Sequence, residues 1–127
     1  MKKEQLVRHE FEPVYDKNSE ILILGSFPSV KSREQGFYYG HPQNRFWKVL
    51  AAIVQEKIPD SIEEKKEMLL RNHIAVYDVI WQCKITGSSD SSIKDVVPAD
   101  ITTIVELSKI RKIYANGKLA EKLFSKY

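Results

Sequence analysis

The residues best suited to chemistry lie between an apolar run and an amphipathic segment, within residues 21–50. Four side chains with rings follow one another closely there: Phe37, Tyr38, Tyr39 and His41. A loop this aromatic either stacks against a flat ligand or closes the end of a hydrophobic core. If it binds a ligand, the backbone amides of residues 25–29 and the side-chain amide of Asn44 would supply hydrogen bonds.

The segment before these rings predicts a buried strand that ends in a tight turn. Residues 21–24 are continuously apolar, as in a strand covered on both faces of a parallel sheet. The turn that follows contains Gly25, Ser26, Phe27, Pro28 and Ser29. Because ligands bind at the carboxyl edge of open α/β sheets, we expect this turn to form part of a site.

The segment after the rings predicts a helix with one face on the core. Its apolar residues have helical spacing: Phe46, Val49, Leu50, Ile53 and Val54. Pro42 fits the first helical position, where the missing N–H costs nothing. Asn44 is then expected in the first turn, near the positive end of the helix dipole.

Asp78 interrupts a second β-rich run, residues 74–80, near the expected carboxyl end of that strand. The side chain either caps the following turn or forms hydrogen bonds with a ligand at the same edge of the sheet. Both interpretations remain open at this point.

The rest of the chain predicts alternating strands and helices. Ser61 and Glu64 form a capping box for a helix that ends near Asn72. Residues 84–97 are expected to be a polar loop. The last elements are a helix opened by Pro98 and Asp100, a strand at 112–115, and a final helix with Leu119, Ala120, Leu123 and Phe124 on its apolar face. This order favours parallel strands joined by right-handed crossovers.

Length predicts one domain, residues 1–127, and the Cys and His content disfavours a bound metal. Cys83 is the only cysteine, and His9, His41 and His73 lack the spacing of metal ligands. No apolar run reaches the length of a membrane span, and no signal segment follows the basic start, so we expect a cytoplasmic protein without a membrane partner. The net charge of +3 permits DNA as a partner without requiring it.

Several motifs together resemble the uracil-DNA glycosylase superfamily, and within it the DNA-deoxyinosine (hypoxanthine) glycosylase branch. The motifs are GSFPS at 25–29, GFYYGHPQNRFW at 36–47, YDVIWQC at 77–83, GSSDSSI at 87–93 and YANGKLA at 114–120. The resemblance implies a three-layer α/β/α sandwich around a short parallel sheet. It also implies excision of hypoxanthine, with uracil as a further substrate, from DNA by a monofunctional glycosylase that needs no cofactor.

The resemblance assigns roles to individual residues. Tyr39 stands where relatives carry the ring that stacks on the base. Amides of the turn at 25–29 would hold the base carbonyl where charge develops, with His41 in the same binding loop. Many members position the attacking water with a polar residue where this chain has Phe27, so that task moves to Asn44. Asp78 occupies the place of a base-reading Asn.

One departure from the family concerns the carboxyl terminus. The family has a fourth strand followed by a Ser/Pro-rich loop that grips DNA, and this sequence stops before both. We therefore expect a truncated domain that lacks the last strand, with an uncovered sheet edge available for self-association. The alternative function is a weak or inactive domain that binds damaged DNA or a free base. A flavodoxin-like small-molecule domain is less favoured, because GSFPS is not a phosphate-binding glycine pattern.

Overall fold

A short parallel sheet and a second, antiparallel sheet form the framework of the chain. The computed structural model describes residues 4–9, 11–27, 30–39, 45–86 and 90–126. The strands are β1 (Glu4–Arg8), β2 (Ile21–Gly25), β3 (Ile74–Asp78), β4 (Ile80–Thr86), β5 (Lys94–Pro98) and β6 (Lys112–Ala115). The helices are α1 (Val30–Gln35), α2 (Phe46–Val54), α3 (Ile62–Arg71), α4 (Ile101–Glu106) and α5 (Lys118–Lys126), with a 3₁₀ turn at Asp90–Ser92.

The parallel sheet has the strand order β3-β2-β6. Its strands are parallel, as the alternation of strands and helices predicts. Leu22 and Leu24 of β2 are completely buried, which explains the absence of polar residues from that strand. The register places Gly25 beside Asp78, so both predicted site residues end their strands at the same edge of the sheet.

The antiparallel sheet has the order β1-β4-β5 and was not predicted. The expected polar loop at 84–97 is wrong at both ends, because β4 continues to Thr86 and β5 begins at Lys94. The expected single run at 74–80 divides at Val79, which separates β3 from β4. The strands β1 and β5 are edge strands with mostly exposed side chains, and their many charged residues hide the pattern of a strand.

Helix α2 begins later than predicted. Arg45 is its N-cap residue and Phe46 its first residue, so the placement of Pro42 at the first helical position is wrong. The first helical hydrogen bond runs from the Val49 N–H to the Arg45 carbonyl oxygen at 2.9 Å. Asn44 therefore precedes the helix in the sequence instead of belonging to its first turn.

The buried face of α2 also differs from the predicted stripe. Trp47, Leu50 and Ala51 are buried, whereas Val49 and Ile53 are 52% and 72% exposed. The large indole of Trp47 buries more apolar area than either aliphatic side chain, and its Nε1–H donates to the Tyr38 carbonyl oxygen at 3.2 Å. The helix is thus rotated to place Trp47 in the core.

Helices α3 and α4 begin where their capping residues predict. The Ser61 hydroxyl accepts from the Glu64 N–H at 3.1 Å, and the Glu64 carboxylate accepts from the Asp60 N–H at 2.7 Å. Asp100 caps α4 in the same manner, through the Thr103 N–H at 3.1 Å. None of the helices in the described ranges is long and apolar enough to cross a membrane.

Within the described part of the chain, β6 pairs with β2 along one side only. The exposed Tyr114 lies on this strand. Self-association through the other edge of β6 remains a prediction.

Candidate active site

The turn after β2 is fixed by backbone hydrogen bonds to the junction between β3 and β4. The Gly25 carbonyl oxygen accepts from the Val79 N–H at 2.8 Å, and the Ser26 carbonyl oxygen accepts from the Ile80 N–H at 3.0 Å. The switch of the chain from one sheet to the other thus holds this turn in place. The predicted site at the carboxyl edge rests on a rigid support.

Gly25 brings three predicted site residues together. A Cβ atom added at Gly25 would lie 2.4 Å from Asp78 Oδ1 and 3.1 Å from the Tyr39 hydroxyl oxygen. The first of these distances is far below van der Waals contact, so a side chain at this position would displace the carboxylate. We call this close approach of Tyr39 and Asp78 to Gly25 the Gly25 cradle.

Asp78 ends β3 with its side chain buried, and the residue is only 4% exposed. Asp78 Oδ2 lies 2.7 Å from His9 Nε2, whose side chain is fully buried. We assign the ring proton to His9 Nε2, which then donates to the Asp78 carboxylate. The interpretation that Asp78 only caps the following turn does not account for its contact with His9.

In the sequence, His9 is only one of three histidines that lack the spacing of metal ligands. Its contact with Asp78 joins residues 69 positions apart and has no local sequence signal. Three rings surround the imidazole, with centroid separations of 4.6 Å to Phe11, 4.9 Å to Tyr77 and 5.6 Å to Tyr38. His9 Nδ1 is buried and has no hydrogen-bond partner among the described residues.

Tyr39 lies at the cradle in an unusual conformation. Its φ of 54° is in the left-handed region, which non-glycine residues seldom adopt and which often occurs at functional sites. The ring stacks on Phe46 with a centroid separation of 3.9 Å and an interplanar angle of 21°. Phe46 thus covers one face of the ring and stiffens it.

The Tyr39 hydroxyl is buried and makes no hydrogen bond of normal geometry within the described residues. Burial raises the pKa of this hydroxyl well above its usual range, and the nearby charge of Asp78 raises it further, while the Asn116 side chain has a smaller lowering effect. Tyr39 is therefore a neutral hydroxyl at physiological pH. An unpaired polar atom in a buried position commonly marks a place for a ligand or water.

The neighbouring rings serve the core. Phe37 and Tyr38 are 3% and 2% exposed, and Phe37 stacks with Trp47 at 5.9 Å between centroids. The Tyr38 hydroxyl donates to the Glu12 carbonyl oxygen at 2.8 Å. The interpretation of the aromatic loop as a core plug is thus correct for these two rings, whereas Tyr39 faces the cradle.

Phe27 offers a hydrocarbon surface beside the turn. Its ring is half-buried, meets His9 edge-on at 6.2 Å between centroids, and lies 5.7 Å from the guanidinium carbon of Arg33. A benzyl side chain has no polar atom with which to orient water.

Four predicted site residues lie outside the described residues: Pro28, Ser29, His41 and Asn44. Their roles remain predictions. Within the described ranges, no group of three or more His, Cys, Asp or Glu side chains is arranged to hold a metal ion.

The sequence profile described as "Uracil DNA glycosylase superfamily" matches residues 12–127. The chain belongs to this superfamily. The resemblance to this superfamily that the five sequence motifs carry is thereby confirmed.

Two relatives of this superfamily member are named hypoxanthine DNA glycosylase. The one from Methanosarcina acetivorans is 38% identical over 117 residues, covering 91% of this chain and 74% of the relative. The one from Methanosarcina barkeri is 37% identical over 110 residues, covering 85% of this chain and 70% of the relative.

A solved structure has the same fold as this superfamily member. It is the solution NMR structure of a candidate uracil DNA glycosylase from Methanosarcina acetivorans, with a TM-score of 0.83 and 36% identity. The match covers 95% of this chain and 76% of the other. The predicted α/β fold class is confirmed.

Proposed function

We propose that this chain is a DNA glycosylase that hydrolyses the N-glycosidic bond of hypoxanthine in DNA, with uracil as a second substrate. The observation that carries the proposal is the convergence of Gly25, Tyr39 and Asp78 at the carboxyl edge of the parallel sheet. Membership of the superfamily and the names of the two relatives support the same activity.

Recognition of the base would use the ring of Tyr39 and the turn after β2. A base that leaves the DNA stack needs an aromatic face to replace the lost stacking. Tyr39 would supply this face, supported from behind by the stacked ring of Phe46. The backbone N–H groups of Ser26, Phe27 and Ser29 would donate to a base carbonyl on which negative charge develops as the bond breaks. Pro28 has no N–H and would shape the turn.

Attack on the sugar would use a water molecule held by Asn44. The anomeric carbon becomes cationic as the base departs, so the water needs orientation more than a strong base. Phe27 cannot orient water because its ring is hydrocarbon, and the resemblance to the hypoxanthine branch moves this task to Asn44. His41 would complete the same loop around the base.

Water as the nucleophile makes the enzyme monofunctional. The sugar then becomes an abasic site and the DNA strand stays intact. A bifunctional glycosylase would instead form a covalent adduct through an amine. Trapping with borohydride distinguishes the two, and we expect no trapped adduct with this protein.

The activity is tested with duplexes that contain one deoxyinosine, one deoxyuridine or only normal bases. After incubation with the protein, alkali should cleave the strand at the position of the deoxyinosine. Cleavage at the deoxyuridine should accumulate more slowly, because base release there is slower. The normal duplex is the control and should stay intact. If neither damaged duplex is cleaved, the proposed activity is wrong.

The alternative function is binding of damaged DNA without base release. In that case the deoxyinosine duplex is bound more tightly than the normal duplex, the binding weakens as salt rises, and alkali yields no product. The same set of duplexes thus separates an enzyme from a binding domain.

A further inference from the structure

We propose that His9 is a positioning residue that sets the base specificity of the site by fixing the orientation of Asp78. This inference rests on the proposed function. It assigns a role to a residue outside the motifs that carry the family resemblance, directly after a strand that the sequence did not reveal.

The first observation is that the two carboxylate oxygens of Asp78 make different contacts. Oδ2 accepts a hydrogen bond from His9 Nε2 at 2.7 Å, and Oδ1 faces the Gly25 cradle. The two groups are almost inaccessible to solvent. Rotation of the carboxylate away from the cradle would break a buried hydrogen bond to which solvent offers little replacement.

The second observation is that His9 itself is held firmly. Its backbone N–H donates to the Trp81 carbonyl oxygen at 2.7 Å, and rings of Phe11, Tyr38 and Tyr77 pack around the imidazole. His9 directly follows β1, which pairs with β4 in a regular register up to Arg8 opposite Gln82. The antiparallel sheet thus delivers a rigid donor to the end of the parallel sheet.

The chemical consequence concerns the edge of the base. With Oδ2 occupied, Asp78 presents Oδ1 to the cradle as a hydrogen-bond acceptor. Hypoxanthine carries an N–H next to its carbonyl group, and uracil does as well. Adenine and cytosine carry a ring nitrogen lone pair at that place, which a carboxylate oxygen repels. A fixed acceptor therefore favours deaminated bases and rejects their normal counterparts.

The Tyr39 ring lies beside this acceptor, since its hydroxyl oxygen and Asp78 Oδ1 both approach the Cβ position of Gly25. A base whose face packs against Tyr39 would bring its edge toward the carboxylate. The Tyr39 ring, on which the base would stack, and the Asp78 carboxylate, which would bind its edge, are thus adjacent. His9 contacts the carboxylate through its other oxygen, Oδ2.

The experiment uses substitutions that separate a positioning role from a packing role. His9→Gln keeps an N–H donor on a side chain of similar reach, and His9→Leu removes the donor but keeps an apolar group among the rings. Asp78→Asn removes the fixed acceptor. His73→Asn is the matched control. His73 directly precedes β3, whereas Asp78 lies at the other end of that strand. Asn tolerates the φ of 61° that His73 adopts.

Two quantities are measured for each variant. One is the single-turnover rate of base release from a deoxyinosine duplex. The other is the ratio of dissociation constants for duplexes that carry non-cleavable 2′-fluoro-deoxyinosine or 2′-fluoro-deoxyadenosine. Thermal unfolding of each variant shows how much of any loss comes from instability.

We expect His9→Leu to reduce the preference for inosine over adenosine about tenfold, the size of one hydrogen bond. His9→Gln should keep most of the preference, and His73→Asn all of it. Because His9 acts through Asp78, the double variant with His9→Leu and Asp78→Asn should be no less selective than Asp78→Asn alone.

Two results overturn the inference while the proposed function stands. One is an active wild-type protein whose inosine preference survives His9→Leu. The other is an equal loss of preference in His9→Gln and His9→Leu, in proportion to their loss of thermal stability, which is the behaviour of a packing residue. If the wild-type protein neither releases hypoxanthine nor prefers the inosine duplex, the proposed function fails and the role of His9 fails with it.

Discussion

Gly25 is the residue on which the geometry of the candidate site depends most. Its missing side chain lets the Asp78 carboxylate and the Tyr39 hydroxyl approach the end of β2. The sequence identified Gly25, Tyr39 and Asp78 as site residues because each stands in a motif or at a strand end. The close approach between them is a property of the parallel register, which no single motif displays.

Gly25→Ala should abolish base release and lower the free energy of unfolding by about 1–3 kcal/mol, the usual cost of overpacking. The added methyl group would overlap Asp78 Oδ1 and press on Tyr39. Activity assays and denaturant unfolding measure the two effects. The control is Gly36→Asn, since a Cβ at Gly36 meets nothing within 4 Å and Asn accepts its φ of 72°. Full activity in Gly25→Ala would contradict the described cradle.

Tyr38 and Tyr39 make the protein sensitive to alkali. Burial raises the pKa of both hydroxyls, and the charge of Asp78 adds to the shift. A raised pKa in the folded state means that unfolding releases protons once the pH passes the ordinary tyrosine value near 10.0. The contribution of these two hydroxyls to the free energy of unfolding should therefore be constant below that pH and decrease above it.

Denaturant unfolding between about pH 8 and 12, combined with tyrosinate absorbance, tests this behaviour. Asp78→Asn removes the charge of Asp78, which is the second cause of the raised pKa of Tyr38 and of Tyr39. The free energy of unfolding should then decrease less steeply as the pH rises. Ordinary titration of every tyrosine in the folded wild-type protein would show that the two hydroxyls are not buried as described.

His9 shows why part of the site escapes prediction at the level of residues. A lone histidine in a charged amino-terminal segment has no pattern that links it to an aspartate 69 positions away. Only the pairing of β1 with β4 brings the two together. Contacts of this kind depend on tertiary structure, which local spacing does not encode.

At the scale of elements, predictions based on capping residues were the most accurate. Helices α3 and α4 begin where Ser61 and Asp100 place them, because a cap satisfies backbone N–H groups that otherwise have no partner. The start of α2 was misplaced because Pro42 suggested an earlier first turn, while Arg45 is the N-cap and makes no side-chain cap hydrogen bond.

Ser61→Ala should destabilise the protein by about 1 kcal/mol, the cost of losing an N-cap acceptor. The Glu64 N–H would lose its partner at the start of α3. Base release at temperatures below the melting transition should be unchanged. The helix α3 leads into the first residue of β3, whereas the Gly25 cradle lies at the last residue of that strand. Ser125→Ala on the exposed side of α5 is the control and should change stability little. No measurable loss in Ser61→Ala would show that the capping box is dispensable.

The antiparallel sheet was missed for a physical reason. Strands buried on one face only carry charged residues on the other, and edge strands carry still more of them. The strand β5, with the sequence KDVVP, combines two charges with a terminal proline and therefore resembles a loop. Its existence is established by pairing with β4, including a register irregularity between Ile80 and Lys84.

At the scale of the whole molecule, the chain combines a mildly basic charge with a site at one edge of a parallel sheet. The net charge of +3 alone does not predict a DNA enzyme. The site geometry and membership of the superfamily carry that proposal. The two curated relatives are longer than the matched segment, which spans 74% and 70% of them.

The most direct test is the single-turnover release of free hypoxanthine from a deoxyinosine duplex, followed by chromatography of the free base. The account predicts release by the wild-type protein and a loss of about a hundredfold or more in Asn44→Ala, the size expected for a group that aids attack by water. Gln43→Ala, which removes the adjacent amide, should remain close to wild type. Absence of free hypoxanthine with the wild-type protein, or wild-type rates in Asn44→Ala, would contradict the account.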